Sequence, residues 1–185
     1  MTGWPKALAW IRRIEGGYAN HPADPGGSTY AGVSLRAVVK LDRDQDGILD
    51  FDLDGDGDVD DADIRLLHSN PGKVSDFYHA EYYETIGAPD CPWPMAVRAF
   101  DAAVHHGVVG AALLIQKACR LTPDGIVGPR TRAAMKIGAV ETETLIRFDH
   151  ERLDLLHRIS ARRNDPFFRG WAKRILWLQL EADRA

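Results

Sequence analysis

The sequence predicts a mainly α-helical protein, for three reasons. Apolar residues recur at helical spacing in several runs of the 185-residue chain, and all but the last of these runs end at, or shortly before, a glycine or proline. A hydrophobic content of 45% is sufficient for one good core. We therefore predict one compact domain over residues 1–185. The helical runs are residues 7–14, 74–86, 95–107, 108–120, 141–162 and 167–180.

The first run, residues 7–14, predicts a short helix with a carboxyl group at its end. Pro5 suits a first helical turn, and Gly16 or Gly17 can close the helix. Glu15 then lies in the last turn, where the partial negative charge of the helix end disfavours a carboxylate. Such a side chain is a candidate general acid.

Residues 18–32 are dense in turn formers and predict a loop or short hairpin that folds back towards Glu15. Asp24 and Thr29 follow Glu15 by nine and fourteen residues. An acid, a carboxylate and a hydroxyl around a cleft suit the cleavage of a glycosidic bond with a positioned water. A helix stop followed by an ordinary loop is the alternative interpretation.

The segment 42–63 is strongly acidic, with eleven aspartates and one arginine. Its formal charge is −10, so the rest of the chain carries +6 within the total of −4. So many carboxylates require counter-charge in a folded chain. Aspartates at alternate positions, with Gly47 and Gly57 at the sixth position of two successive loops, follow the calcium-loop pattern.

We therefore predict one or two structural Ca²⁺ ions in an inserted segment, residues 42–67, which resembles EF-hand and dockerin-type loops. The first loop ends on Leu53 and lacks its terminal carboxylate, which Asp52 or Asp54 could supply. A disordered acidic linker is the alternative. The predicted ligands of the first loop are Asp42, Asp44, Asp46, the Ile48 carbonyl and Asp50, and those of the second are Asp52, Asp54, Asp56, Asp58, Asp60 and Asp63.

The run 95–107 is small and apolar, and predicts a central buried helix. Asp101 interrupts its apolar face, so it is either an anchor of the core or a residue near the substrate. His105 and His106 lie on different helix faces, and no suitably spaced ligands complete a zinc site with them.

A turn motif follows the helical run 108–120. Residues 124–131, Asp-Gly-Ile-Val-Gly-Pro-Arg-Thr, are similar to the turn of helical peptidoglycan-binding modules, and we assign residues 95–140 to such a part. A purely structural helix–turn–helix explains the same residues.

The last run, residues 167–180, is cationic and rich in tryptophan and leucine. We expect it to pack on the body of the protein, although a membrane-surface helix has the same composition. No stretch approaches the roughly twenty apolar residues of a membrane span.

Cys91 and Cys119 are expected to be separate thiols, with a single bridge as the alternative. Aromatic-interleaved basic strands are absent, which argues against nucleic acid as a partner.

Residues 15–32 carry a family resemblance. Their pattern, Glu-Gly-Gly-Tyr-x-Asn-x-Pro-x-Asp-Pro-Gly-Gly-x-Thr-x-x-Gly, resembles the N-terminal signature of glycoside hydrolase family 108, the lysozyme-like muramidases of phage endolysins and bacteria. The resemblance implies a lysozyme-like helical domain with Glu15 as the catalytic acid. Asp24 and Thr29 take catalytic roles by similarity to other phage lysozymes, and we expect Tyr18, Tyr30, Asp101 and His105 to contact the substrate.

The activity implied by the resemblance is hydrolysis of the β-1,4 bond between N-acetylmuramic acid and N-acetylglucosamine in peptidoglycan, by a monomer. The N-terminus has no signal-peptide pattern, so we expect synthesis in the host cytoplasm and a holin-type release to the periplasm. Contact with the anionic outer membrane is a further expectation. Two alternatives remain open, a non-hydrolytic peptidoglycan-binding or secretion-accessory module and a calcium-dependent adhesion protein.

Overall fold

The computed structural model describes residues 3–20, 26–163 and 167–182. It confirms a mainly α-helical fold with a small sheet. Contacts divide the chain into two compact units, Leu8–Tyr78 and the residues before and after it. The helices are α1 Trp4–Ile14, α2 Leu35–Val38, α3 Asp61–Leu66, α4 Pro71–Tyr78, α5 Trp93–Ala118, α6 Pro129–Gly138, α7 Thr142–Arg163 and α8 Phe168–Ala182, and the strands are β1 Tyr18–Ala19, β2 Thr29–Tyr30 and β3 Val33–Ser34. The short helices are Leu67–Ser69 and Ala88–Asp90 (3₁₀) and His79–Glu84 (π).

The unit Leu8–Tyr78 contains the three-stranded antiparallel sheet, with β2 in the centre. Thr29 pairs with Ala19 on one side and with Ser34 on the other. Ala31 and Gly32 form the two-residue turn between β2 and β3, with φ values of 46° and 80°. Positive φ at both positions gives the backbone twist that a two-residue hairpin requires.

The acidic segment belongs to this unit and contributes to its core, although residues 42–60 form no helix or strand. Phe51 is buried and packs edge-on against Phe77, with ring centroids 5.9 Å apart. Val59, the eighth residue of the second predicted calcium loop, is also buried. The segment is therefore anchored by apolar side chains as well as by its polar ones.

The second unit is built around α5, which packs against α6, α7 and α8. By length and composition α5 could cross a membrane, which the sequence analysis did not find. However, 56% of its apolar window is buried inside the protein, as expected for a core helix. The backbone at Gly107 also leaves the helical conformation (φ 75°, ψ 160°), so α5 is two shorter helical segments.

The other predicted helices begin and end within a few residues of the observed ones, with one exception. The predicted helix 74–86 begins earlier, because Pro71 occupies the first turn of α4, and it continues from His79 as a π-helical segment. Helix α8 buries Ile175, Leu178 and Ala182, which confirms that it packs on the body.

Cys91 and Cys119 are both free thiols, as expected, and burial raises the pKa of Cys91 to about 12.

Candidate functional site

Glu15 lies where α1 ends, in a cleft of the unit Leu8–Tyr78. The helix reaches the last turn as predicted, because the Glu15 amide donates to the carbonyl of Ile11 at 2.8 Å. The side chain is half-buried. The cleft has a volume of about 330 Å³ and is lined by Arg12, Glu15, Gly16, Gly17, Tyr30, Ala31, Pro71 and Val74.

Gly32 allows the β2–β3 turn to approach Glu15 closely. A Cβ atom at Gly32 would lie 3.0 Å from Oε2 of Glu15 and would overlap the hydroxyl of Tyr78. That hydroxyl donates to the Ala31 carbonyl at 2.8 Å and so holds the turn in place. Since the position also has a positive φ, glycine satisfies both the backbone and the space.

The other two predicted catalytic residues are placed differently. Thr29 is half-buried in the central strand and is not among the residues that line the cleft, whereas its neighbour Tyr30 is. Asp24 lies outside the described residues. The catalytic roles of Asp24 and Thr29 therefore stay predictions.

Tyr18 contacts Asp61, the first residue of α3. The sequence had not indicated a role for Asp61. The Tyr18 hydroxyl donates to Oδ1 of Asp61 at 2.6 Å, and the Asn20 amide approaches the same oxygen at 3.4 Å. Arg65 donates to the other oxygen at 2.8 Å and lies 4.6 Å from the centre of the Tyr18 ring. The hydrogen bond from Tyr18, with further hydrogen bonds including that from Arg65, lowers the pKa of Asp61 to about 2. Asp61 thus ties β1, the strand after Glu15, to α3, the helix that begins at the end of the acidic segment.

The two predicted calcium loops share one local structure. Oδ2 of Asp42 accepts from the Gly47 amide at 3.1 Å, and Oδ2 of Asp52 accepts from the Gly57 amide at 3.0 Å. Both glycines have positive φ, 87° and 98°. In each loop the first aspartate therefore folds the chain onto the sixth residue, where only glycine adopts the backbone at low cost.

Asp63, the predicted terminal ligand, is a buried centre of the second loop with 1% exposure. It accepts from the amides of Leu53 at 2.6 Å and Asp60 at 2.8 Å. Crowding of like charge raises the pKa of Asp58, with Asp56 as the largest cause. Carboxylate oxygens within 4.8 Å of one another belong to three groups, Asp42 with Asp44 and Asp46, Asp52 with Asp54 and Asp63, and Asp58 with Asp60 and Asp63.

Not every predicted ligand joins these groups. Asp50 forms an ion pair with Arg43 at 3.3 Å, and Asp56 belongs to none of the three. The side chain of Ile48 is exposed, which is compatible with a ligand that offers only its carbonyl. Clustered carboxylate and carbonyl oxygens are the hard donors that Ca²⁺ prefers, so the residues fit the predicted ion.

Asp101 is a core anchor, which corrects the prediction that it contacts substrate. It has no exposed surface and pairs with Arg152 at 2.5 Å and with Arg174 at 2.9 Å. His105, also a predicted substrate contact, lies beside the same Arg152, with its Nδ1 atom 3.2 Å from Nη2 of the arginine. Nε of Arg152 donates to Nε2 of His106 at 3.1 Å. Burial, followed by the positive charge of Arg152, lowers the pKa of His105 to about 4 and of His106 to about 2.

The turn motif 124–131 is held by the buried side chain of Gln116. Its amide nitrogen donates to Oδ1 of Asp124 at 2.6 Å, and its oxygen accepts from the amides of Asp124 and Gly125, both at 2.9 Å. These contacts give the motif a structural role in joining α5 to α6.

Comparisons with known proteins agree with this organisation. A family model for glycosyl hydrolase 108 matches residues 8–107, and a model described as a predicted peptidoglycan domain matches residues 110–176. The two matches meet near the break at Gly107, whereas the predicted peptidoglycan-binding part was residues 95–140. The structure of Brucella abortus SagA is similar, with a TM-score of 0.74 and 25% identity over 98% of this chain and 94% of that one. No curated protein sequence matches the chain. The first family model covers more than half of the residues, so the chain belongs to glycosyl hydrolase family 108.

Proposed function

We propose that this protein hydrolyses the β-1,4 bond between N-acetylmuramic acid and N-acetylglucosamine in bacterial peptidoglycan. Family membership supports a glycoside hydrolase, and the second family match supports peptidoglycan as the partner. The observation that carries the proposal is the position of Glu15, half-buried in a cleft that also presents Tyr30. A carboxyl group so placed can meet a bound glycan while remaining shielded from bulk water.

In the proposed reaction Glu15 donates its proton to the oxygen that leaves the scissile bond. Asp24 and Thr29 hold or activate the attacking water, or stabilise the positive charge that develops on the sugar ring. The water supplies the hydroxyl group of the new reducing end and the proton that returns to the enzyme.

The test is digestion of purified peptidoglycan followed by mass spectrometry of the fragments. Reducing-end muramic acid supports the proposal, whereas reducing-end glucosamine or an anhydro-sugar assigns a glucosaminidase or a lytic transglycosylase. Glu15→Gln should remove activity while the fold is retained, because the amide has no acidic proton to donate to the leaving oxygen. Glu84→Gln changes an exposed glutamate outside the cleft and is the matched control. A folded Glu15→Gln variant with full activity would contradict the assignment of the acid. Release of no fragments by the wild type would favour a non-hydrolytic binding module.

We also propose that the acidic segment binds one or two structural Ca²⁺ ions. Support comes from the three clusters of aspartate carboxylates and from the glycine-containing turn that occurs in both loops. The role we propose is to order the neighbourhood of the cleft. Asp63 lies in the first turn of α3, and Asp61 of the same turn holds Tyr18, three residues after Glu15. An ion bound by Asp63 would therefore stabilise α3, the helix to which β1 is attached through Tyr18.

The proposed place of action is the periplasmic cell wall, reached by a holin-type release. We further propose peripheral contact with the anionic outer membrane through the outer face of α8. Leu176, Trp177 and Leu180 are exposed there, between 44% and 58%, and Lys173 lies 4.3 Å from the centre of the Trp177 ring. Exposed tryptophan and leucine beside cations are typical of helices that bind anionic lipid surfaces.

A further inference from the structure

The unit that contains α5 to α8 has a second and larger cleft. Its volume is about 610 Å³, within the usual range of ligand pockets of roughly 300–1,000 Å³. It lies where α5 and α6 end and α7 begins, inside the region matched by the predicted peptidoglycan domain. The residues that line it are Cys119, Arg120, Ala134, Ile137, Gly138, Glu141, Thr142, Glu143, Thr144 and Arg147.

One side of this cleft is small and apolar. Ile137 is 62% exposed, although it is a large aliphatic residue, and Ala134 lies beside it one helical turn earlier. Gly138 lets α6 end directly against α7, since a Cβ atom there would lie 2.6 Å from Cγ2 of Thr144. This side can accommodate short aliphatic groups of a ligand.

The other side carries charges of both signs. Arg147 is held by the Ala118 carbonyl at 2.9 Å and by the Thr144 hydroxyl at 2.8 Å, and its Nη1 lies 3.6 Å from a carboxylate oxygen of Glu143. Glu141 accepts from the same Thr144 hydroxyl at 2.8 Å. Arg120 adds a second cation, on a backbone with a φ of 56° that non-glycine residues seldom adopt.

The composition of the lining favours one part of peptidoglycan over the other. Sugar rings are usually held by aromatic side chains that stack on their apolar faces, and none of the ten lining residues is aromatic. A peptide with free carboxylate and ammonium groups matches the paired cations and carboxylates, and its small aliphatic side chains match Ala134 and Ile137. The positive end of the α7 helix dipole, at its first turn, adds to the attraction for a carboxylate.

We infer that this cleft binds the peptide stem of peptidoglycan, so that the chain holds the polymer by its peptide here and cleaves its glycan at Glu15. The inference rests on the proposed function and names a second, separate contact with the same substrate. Recognition of the stem would retain the enzyme on the wall between cleavage events and raise the effective concentration of glycan at the first cleft.

The test uses the full chain with Glu15→Gln, so that nothing is cleaved, and the synthetic tetrapeptide L-Ala-γ-D-Glu-meso-diaminopimelate-D-Ala. Titration followed by amide NMR should shift the signals of Gly138 and of residues 142–147. Ile137→Ser and Glu143→Gln change exposed groups and should each weaken the peptide affinity about tenfold, the effect of losing one apolar or charged contact. Val109→Ser, at an exposed valine outside the lining, is the control and should leave the affinity unchanged.

Three outcomes would overturn the inference. One is the absence of peptide-induced shifts in the cleft, and another is equal binding of a peptide whose free carboxylates are amidated and whose diaminopimelate side-chain amine is acetylated. The third is a shift of the same signals by an N-acetylglucosamine oligomer in place of the peptide. Digestion by the wild-type protein and by Ile137→Ser separates this inference from the proposed hydrolysis. The variant should cleave peptide-free glycan normally and whole peptidoglycan less well, whereas failure of the proposed hydrolysis would remove both activities in the wild type.

Discussion

At the scale of single residues, Gly32 is the clearest link between local backbone and candidate chemistry. Its φ of 80° and its contacts with Glu15 and Tyr78 mean that the turn, the acid and α4 meet at a position without a side chain. The absence of a side chain at position 32 therefore lets the hairpin approach the Glu15 carboxyl group closely.

We predict that Gly32→Ala strongly reduces peptidoglycan cleavage and lowers the free energy of unfolding by about 1–3 kcal/mol, the usual cost of a strained backbone position. The new Cβ must displace the Tyr78 hydroxyl and the Glu15 carboxyl group. Adding Tyr78→Phe removes the first of these overlaps, so the double variant should recover part of the activity. Turbidity clearing and urea unfolding measure both effects.

The control for this prediction is Gly72→Ala, which meets no atom within 4 Å and lies inside α4. It should leave cleavage unchanged and stabilise the helix slightly. Full activity of Gly32→Ala would show that the close approach of the turn is irrelevant to the acid.

At the scale of elements, the acidic segment and α3 act as a unit because Asp63 and Asp61 share one helical turn. We predict that Asp63→Asn weakens calcium binding strongly, since it removes charge from the carboxylate shared by two ligand groups. Asp61→Asn should retain calcium binding, because Asp61 belongs to none of those groups, but should detach Tyr18 from α3. Calorimetric titration measures the affinity, and amide hydrogen exchange of residues 15–20 with and without calcium measures the attachment.

In the wild type, calcium should slow exchange in residues 15–20, and in Asp61→Asn it should not. Asp76→Asn changes an exposed aspartate outside the acidic segment and serves as the control. Identical exchange in the two calcium states of the wild type would contradict the proposed connection, even if the ion binds.

The packing of α5 against α7 and α8 carries a pH dependence. His105 and His106 lie against Arg152 with their pKa values lowered to about 4 and about 2, so both are neutral in the folded protein. In the unfolded chain they bind protons near pH 6.5. The unfolded state therefore gains protons first as the pH falls. Stability is lost from about pH 6.5 down to about pH 4 for His105 and down to about pH 2 for His106, with a slope of up to about 1.4 kcal/mol per pH unit for each histidine.

Urea unfolding at several pH values measures this slope. Replacing both histidines by glutamine, which keeps a hydrogen-bond acceptor for Arg152, should flatten it. His150→Gln, at an exposed position on α7, should leave it unchanged. Equal slopes in the wild type and the double variant would exclude these histidines as the cause.

At the scale of the whole molecule, charge is segregated along the chain. The acidic segment carries −10 and the rest +6, and the exposed face of α8 combines part of that positive charge with apolar side chains. Bound calcium would reduce the negative charge, which favours approach to anionic surfaces.

We predict that the protein sediments with phosphatidylglycerol vesicles at low salt but not with phosphatidylcholine vesicles. Trp177→Ser with Leu180→Ser should reduce this binding, because it removes the apolar part of the α8 face. Ile126→Ser, at another exposed apolar residue, is the control. Equal binding to neutral vesicles, or full binding by the double variant, would contradict a membrane role for α8.

The amino-acid sequence by itself determined the features that depend on neighbouring residues. Helical spacing predicted α1, α7 and α8, the double glycine placed Glu15 at a helix end, and alternate aspartates with glycine predicted the two turns of the acidic segment. Such signals act over a few residues, within one turn or one loop, so they can be read without the fold.

Only the tertiary structure decided which distant residues meet. Tyr18 and Asp61 are 43 positions apart, and their contact assigns to Asp61 a role that no local pattern indicates. The sequence is compatible with Asp101 as a core residue or as a substrate residue. In the fold it is fully buried and pairs with Arg152 and Arg174, which makes it a core residue. The physical reason is that a buried charge is defined by its partners, and those partners are brought together by the packing of whole helices and not by their order in the chain.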